Sequence, residues 1–349
     1  MRSTPWYHAA HGPINISWAK PIAPGHYQPM AKFKILLTDY AWPDLDIEKS
    51  ILAQAGGELV VAKSQDVASL SAAAADADAI MTNWAKVPAE VLTSAPKCRI
   101  VARLGVGLDN IDVQFATERG IVVTNVPDYC VVEVAEHTIA LLLALARKVA
   151  FYHHETKQGR YDLSAGPRLA RIEGQTLGII GLGNIGHRVA TKAAALGLKV
   201  VATSRSRQST PPGVTLCGLD ELLAASDYVS LHAPLTSETR HLIGDRELAL
   251  MKSTAYLINT ARGGLVDHRA LAQALAAGRL AGAALDVQDQ EPPNLSAEPY
   301  NDPRVIVTPH AAFVSQESLH GLRRRTATQV ATLLSGGRPE NVVNPSIFD

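Results

Sequence analysis

The chain has 349 residues, 47% of them hydrophobic and 19% charged, with 33 basic and 33 acidic side chains in balance. That length fits two soluble domains with full cores, and the charge balance argues against a nucleic-acid partner, which needs a basic stripe. Three scattered cysteines, Cys98, Cys130 and Cys217, give neither zinc spacing nor a disulfide framework; they are read as small buried residues in a reducing, cytoplasmic compartment.

Residues 1–32 mix Trp6, Trp18, histidines and prolines without an apolar core of signal-peptide type. They are expected to be an N-terminal extension. From Phe33 strands and helices alternate. Strands are expected at Lys34–Thr38, Glu58–Ala62, Ala79–Thr82, Ile100–Arg103 and Ile121–Thr124, with small helices from Asp44 and over Ala68–Ala75. Such alternation predicts a parallel sheet covered on both faces, here of flavodoxin-like order. The loop Leu104-Gly105-Val106-Gly-Leu-Asp109-Asn110 follows the fourth strand, at the edge where α/β sheets bind ligands, and its glycines expose amides suited to a carboxylate. Thr82-Asn-Trp-Ala85 ends the third strand and faces the same crevice.

Val131 to Ala150 is expected to form one long helix, apolar nearly all round, that crosses to the second half and joins two subunits. Its core, Thr138 to Ala146, is too short to span a bilayer, so no membrane partner is expected. His153 and His154 are adjacent and cannot share a helix face; they are read as surface residues, and no metal site is expected.

The second half centres on Thr176-Leu-Gly-Ile-Ile-Gly181-Leu-Gly183-Asn-Ile-Gly186. A short buried strand runs into Gly-x-Gly-x-x-Gly, and helical periodicity follows over His187–Leu196. Gly181 permits the tight turn, Gly183 lets a pyrophosphate reach the backbone, and Gly186 lets the helix pack on the strand. Further strands are expected at Lys199–Thr203, Asp227–Leu231, Ala255–Asn259, Gly282–Leu285 and Val305–Thr308. Their ends, Ser204-Arg205, His232-Ala233-Pro234, Thr260-Ala261-Arg262, Asp286 and Pro309-His310, converge at one sheet edge. With Asn184 and Ile185 they form the expected cofactor-binding set. A last helix is expected over Gln316–Leu334, with Arg323-Arg-Arg325 on a solvated face. Pro339 to Asn344 then returns to the first domain. The expected division is 33–130 plus 313–349 for substrate and 131–312 for cofactor.

Asn259-Thr-Ala-Arg262-Gly-Gly-Leu-Val-Asp267, Leu285-Asp-Val-Gln-Asp-Gln-Glu291-Pro and Thr308-Pro-His310-Ala-Ala together resemble the D-isomer-specific 2-hydroxyacid dehydrogenases. So do Gly105-Val-Gly-Leu-Asp-Asn-Ile-Asp112, Val134-Ala-Glu-His-Thr138 and the Gly181–Gly186 turn. Ile172-Glu-Gly-Gln-Thr-Leu-Gly178 looks most like the phosphoglycerate-dehydrogenase and C-terminal-binding-protein branches. The resemblance implies a homodimer whose cleft lies between a flavodoxin-like substrate domain and a Rossmann cofactor domain, both doubly wound parallel sheets. It also implies that Arg262 anchors a carboxylate, that His310 donates a proton, and that Glu291 orients His310. Leu104, Gly105 and Val106 complete the substrate set, and Asp286 lies near the nicotinamide carboxamide.

One departure bears on the cofactor. NAD enzymes of this fold place an acid at the end of the second strand to bind the ribose hydroxyls. Ser204 stands there instead, followed by Arg205 and Arg207. NADP is therefore preferred over NAD, because guanidinium groups attract a 2′-phosphate. The expected activity is reduction of glyoxylate, hydroxypyruvate or a similar 2-keto acid. D-3-phosphoglycerate dehydrogenase and a dinucleotide-sensing corepressor-like scaffold stand as alternatives.

Overall fold

A computed structural model describes residues 32–166, 169–205 and 210–349. The expected N-terminal extension, save its last residue, and Arg207 lie outside them. Among the described residues, strands β1 (Phe33–Leu37), β2 (Gly57–Val61), β3 (Ala79–Thr82), β4 (Ile100–Arg103) and β5 (Val122–Thr124) form one parallel sheet, ordered β2-β1-β3-β4-β5. Strands β6 (Thr176–Ile180), β7 (Lys199–Thr203), β8 (Val214–Leu216), β9 (Tyr228–Leu231), β10 (Tyr256–Asn259), β11 (Gly282–Leu285) and β12 (Val305–Val307) form a second, ordered β12-β11-β10-β9-β6-β7-β8. Both are doubly wound, as the strand–helix alternation implies. Winding reverses between β1 and β3 in one sheet and between β6 and β9 in the other. Ligands of such sheets bind outside the carboxyl ends of the strands at those reversals.

Side-chain alternation builds a core on each face of the first sheet. Ile35, Leu37, Met81 and Ala102 pack with Leu322, Val330 and Leu333 of the helix Gln316–Leu334. Leu36, Ile80, Val101 and Val123 pack with Leu70, Val91 and Leu92 on the other face. The chain end lies along β5: Val123 N donates to Asn344 Oδ1 and Val343 N to Val123 O, both at 2.8 Å.

Several expectations need correction. The long helix spans Val131–Arg147, not Val131–Ala150. Lys148 takes a left-handed φ of 55°, with Nζ 4.3 Å from the Tyr256 ring centre, and a second helix covers Val149–Lys157. Nor is the first helix buried all round. Val134, Ala135, Thr138, Leu141, Leu142, Leu145 and Ala146 face the protein, while Val132, Glu136, Ala140 and Arg147 face outward. Glu136 and Arg147 mark that outer stripe, and the alanines let the apolar run look continuous. Finally, β8 is a three-residue edge strand, too short to carry a periodic signal. No helix among the described residues is long and apolar enough to cross a membrane. Cys98 and Cys130 are buried, with burial pushing each thiol up to about 12, and Cys217 is half-buried.

The arginine run is also not a single solvated face. A helix turns about 100° per residue, so the three side chains diverge. Arg324 is exposed, and Arg325 pairs with Asp128 and Glu340. Arg323 is buried: Nε and Nη2 each reach the fully buried Glu48 at 2.8 Å, Nη2 also meets Asp44, and the guanidinium lies 5.5 Å from the Trp42 ring centre. Removing one partner of a buried pair strands the other charge, at a cost of about 3–5 kcal/mol. We therefore predict that Arg323→Leu lowers the thermal midpoint by several degrees and that Arg324→Leu leaves it unchanged, as read by circular dichroism. Equal effects would return Arg323 to the surface.

Candidate active site

The carboxyl ends of the two sheets face each other across a cleft. It has two confluent lobes, an inner one of about 580 Å³ reaching toward Ile185 and Thr260 and an outer one of about 600 Å³ reaching toward Lys86 and Glu291, with Trp84, Arg103, Asp109, Arg262 and His310 common to both.

His310 lies just beyond β12. Its Nδ1 is 2.8 Å from Glu291 Oε2, and Gln288 N donates to Glu291 Oε1 at 3.0 Å. Burial pushes the Glu291 carboxyl up, but the His310 hydrogen bond and charge, the Gln288 amide and Arg262 outweigh it. The acid therefore titrates below its ordinary value. His310 has φ 51°, a left-handed conformation that costs a β-carbon-bearing residue energy unless its surroundings impose it. Asp286 imposes it here. Fully buried, it accepts from Thr308 Oγ1 at 2.6 Å and from the amides of Ala311 and Ala312 at 2.9 Å, while its carbonyl takes His310 N at 2.8 Å. Both carboxylate oxygens are thus engaged within the protein, although Asp286 also lines the inner lobe. His137, on the long helix, adds Nε2 at 3.2 Å from Thr308 Oγ1.

Arg262 follows β10 on a loop tied down by Asn259, whose side chain donates to Arg262 O and accepts from Ala261 N. Its Nε reaches across the cleft to Asp109 Oδ1 at 3.1 Å, and Nη1 donates to Ala261 O at 2.8 Å. Nη2 meets no acceptor among the described residues. Burial pushes the Asp109 carboxyl up, yet the charge and hydrogen bond of Arg262 bring it below its ordinary value.

The loop after β4 supplies the opposite wall. Its carbonyls are held from behind, Gly105 O by Val126 N at 3.0 Å and Val106 O by Asn125 Nδ2 at 2.8 Å. The amides of Val106 and Gly107 donate to no acceptor among the described residues. The glycines have a purpose that spacing alone does not reveal: they make room for arginines. A β-carbon at Gly107 would lie 1.7 Å from Arg262 Nη2, and one at Gly105 would lie 2.6 Å from Arg103 Nη1. Arg103, at the end of β4, is 8% exposed; Nη1 bonds Leu104 O, and Nε has no partner. Burial, then the neighbouring Arg262 charge, pushes its pKa down to about 10. A second cation with no carboxylate of its own therefore stands behind the first.

Along the same carboxyl edge, at the middle of the second sheet, the Gly181 turn abuts His232 and Ala233, and a β-carbon at Gly181 would lie 2.6 Å from Ala233 N. An added Cβ at Gly183 meets nothing within 4 Å, so the turn opens toward a ligand, whereas one at Gly186 would strike Gly181 O. The helix Asn184–Ala195 starts there with Gly183 as its N-cap, three residues earlier than expected. Ile185, His232, Ala233, Pro234, Thr260 and Ala261 line the inner lobe between this turn and His310. His232 Nε2 is 2.9 Å from Ser230 Oγ, and burial pushes the imidazole down to about 4, so the ring is neutral near pH 7. Ser204 and Arg205 follow β7; Arg205 is exposed and pairs with Glu238. These residues fit a dinucleotide whose pyrophosphate rests on the Gly183 turn and whose nicotinamide reaches Thr260.

The structure thus gathers every residue expected to bind substrate or act on it around one cleft. Gly183 and Asn184, beyond β6, and Ser204 and Arg205, beyond β7, follow strand ends of the same sheet but line neither lobe. Reading by strand ends placed Gly107 and Asp109 on the right loop without adding them to the substrate set, and it overlooked Arg103, Tyr129 and Phe313, which line the inner lobe. Arg103 is itself a strand end, so the rule that selected Leu104 reaches it one residue earlier.

The pattern described as D-isomer specific 2-hydroxyacid dehydrogenase, NAD binding domain, matches residues 139–312. A glyoxylate reductase from Aeropyrum pernix is 42% identical over 284 residues, 78% of this chain and 85% of that protein. A D-3-phosphoglycerate dehydrogenase from Methanocaldococcus jannaschii is 39% identical over 318 residues, covering 89% of this chain but 59% of the longer relative. The crystal structure of the TT0316 protein of Thermus thermophilus superposes with a TM-score of 0.81 at 34% identity, over 89% of this chain and 99% of that one. Two parallel sheets facing across a cleft, with a phosphate-binding turn in one and relatives this similar along most of their length, place the chain in the D-isomer-specific 2-hydroxyacid dehydrogenase family.

Proposed function

We propose that the chain reduces a small 2-keto acid, glyoxylate or hydroxypyruvate, to the D-2-hydroxy acid, with NADPH preferred. The observation that carries this reading is the His310–Glu291 pair at 2.8 Å, set opposite a guanidinium with an unused Nη2 and two unused amides. Arg262 Nη2 and the amides of Val106 and Gly107 lie side by side and would together hold a carboxylate, with Leu104 and Gly105 beside them. Arg103 adds positive potential at low dielectric. That anchor turns the neighbouring carbonyl oxygen toward His310. Thr260 and Ala261 line the wall that would hold the nicotinamide ring, which when bound and reduced would supply the hydride. His310 gives its proton to the oxygen, completing the alcohol, and ionised Glu291 holds the ring in place throughout. The division into 33–130 plus 313–349 and 131–312 and a cytoplasmic location are part of the same proposal.

A second reading, D-3-phosphoglycerate dehydrogenase, draws on Lys86 and Arg240 in the outer lobe, which suit a distal phosphate. A corepressor-like scaffold would bind dinucleotide without turnover. A screen of glyoxylate, hydroxypyruvate and 3-phosphohydroxypyruvate, following nicotinamide absorbance with each cofactor, separates the three.

His310→Ala should lower kcat by ~10²–10⁴-fold, the usual share of general acid catalysis, with dinucleotide affinity unchanged. Near-normal turnover would remove His310 from proton transfer. Arg262→Lys should raise the 2-keto acid KM and lower kcat, since a point charge cannot reproduce the fork.

For the cofactor, Ser204 at the acidic position and Arg205 beside it support NADP. The exposed pairing of Arg205 with Glu238 is screened by solvent and leaves the guanidinium available to a phosphate. Ser204→Asp with Arg205→Ala should reverse the preference in kcat/KM, by roughly 10–150-fold for loss of one charge-assisted hydrogen bond. A parent that already prefers NADH contradicts this assignment.

A homodimer is part of the proposal. Val132 (41% exposed) and Val149 (58%) lie on the two helices that begin at Val131 and Val149, and Tyr161 (93%) and Leu163 (84%) follow the second; these exposed apolar side chains are assigned to the subunit contact. Light scattering at micromolar concentration should give twice the chain mass, and Leu163→Asp with Val149→Asp should give the monomer. A monomeric parent overturns the assignment of that contact.

A further inference from the structure

The loop after β3, Asn83-Trp84-Ala85, carries an indole on the wall common to both lobes of the cleft. Its backbone is held by a carboxylate that takes no part in the reaction described above. Asp39, at the end of β1 and 5% exposed, accepts from the amides of Asn83 at 3.1 Å, Trp84 at 2.8 Å and Ala85 at 3.1 Å, and from the Thr38 hydroxyl at 2.6 Å. Three successive amides converging on one anion form a concave nest, satisfied here from within the chain. From the other side, Asn110 Nδ2 donates to the carbonyls of Asn83 at 3.3 Å and Ala85 at 2.9 Å, and Thr82 Oγ1 donates to Ala85 O at 2.8 Å.

With both backbone faces fixed, the Trp84 side chain projects into the cleft. Its ring lies 6.5 Å from Phe313 at 67°, and Phe313 lies 6.0 Å from the His310 ring. β1 and β3 are the neighbours between which the first sheet reverses its winding, so Asp39 and Trp84 occupy that sheet's ligand-binding edge.

We propose that Trp84 limits the size of the 2-keto acid side chain admitted beside His310, and that Asp39 is the positioning residue that holds Trp84 there. The proposal rests on the reduction of 2-keto acids argued above. Asparagine at position 39 keeps the shape but turns an NH₂ group toward an amide N–H. At least one buried donor then loses its acceptor, and the loop relaxes.

Asp39→Asn should lower the ratio of kcat/KM for glyoxylate to that for phenylpyruvate by about tenfold, the scale on which a pocket wall discriminates size. Trp84→Ala should shift the ratio in the same direction, and the double variant should go no further than Trp84→Ala alone. The KM for reduced nicotinamide should stay constant in all three. A role in folding alone would depress both substrates together and leave the ratio intact, which would overturn the proposal; so would fully additive shifts. Hydrogen exchange by mass spectrometry supplies a readout that needs no turnover. In Asp39→Asn the amides of 83–85 should exchange faster while those of β5 do not change. Unchanged exchange at 83–85 overturns the positioning role even if the parent reduces no 2-keto acid, an outcome that would separately end the functional reading.

Discussion

The site depends first on one buried carboxylate, Asp286. With no exposure to solvent, it must find its hydrogen-bond donors inside the protein. It finds them in Thr308, Ala311 and Ala312, the residues that flank His310 on both sides. The segment can satisfy that carboxylate only by bending, and the bend places His310 in a left-handed conformation with its ring against Glu291. Local strain at His310 is thus balanced by a full set of hydrogen bonds at a neighbour.

The same logic of buried polar groups runs across the cleft. Arg262, beyond β10 of one sheet, meets Asp109, beyond β4 of the other, so the proposed carboxylate anchor is also a bond between domains. Gly107 and Gly105 let two guanidinium groups lie on the backbone, concentrating positive charge where Val106 and Gly107 present unused amides. Apolar packing holds each sheet separately, while charge and hydrogen bonding decide how their edges face. Such an arrangement suits a cleft that must admit a small anion and then exclude water around it.

Much of this was legible in the residues. Short apolar runs ending in glycine or polar turns marked eleven of the twelve described strands; the exception, β8, is three residues long and lies at the sheet edge. Convergence of strand ends brought Arg262 and His310 together, and the family resemblance added Glu291. What the sequence concealed depends on contacts far apart along the chain. Arg323 reads as part of a basic surface run because Glu48, which buries it, lies 275 residues away. Gly107 reads as a turn because the guanidinium that forbids a side chain there belongs to position 262. The break at Lys148 lacks a glycine or proline to announce it, and only the Tyr256 ring beneath its ammonium shows what holds it.

The central claim is that these residues deliver a proton and hold a carboxylate for reduction of a 2-keto acid to one hand of product. Incubation of the protein with hydroxypyruvate and NADPH, followed by chiral chromatography of the glycerate formed, tests it most directly. The account predicts D-glycerate in step with loss of reduced-nicotinamide absorbance. L-glycerate, a racemate, or no loss of absorbance with any 2-keto acid would contradict it.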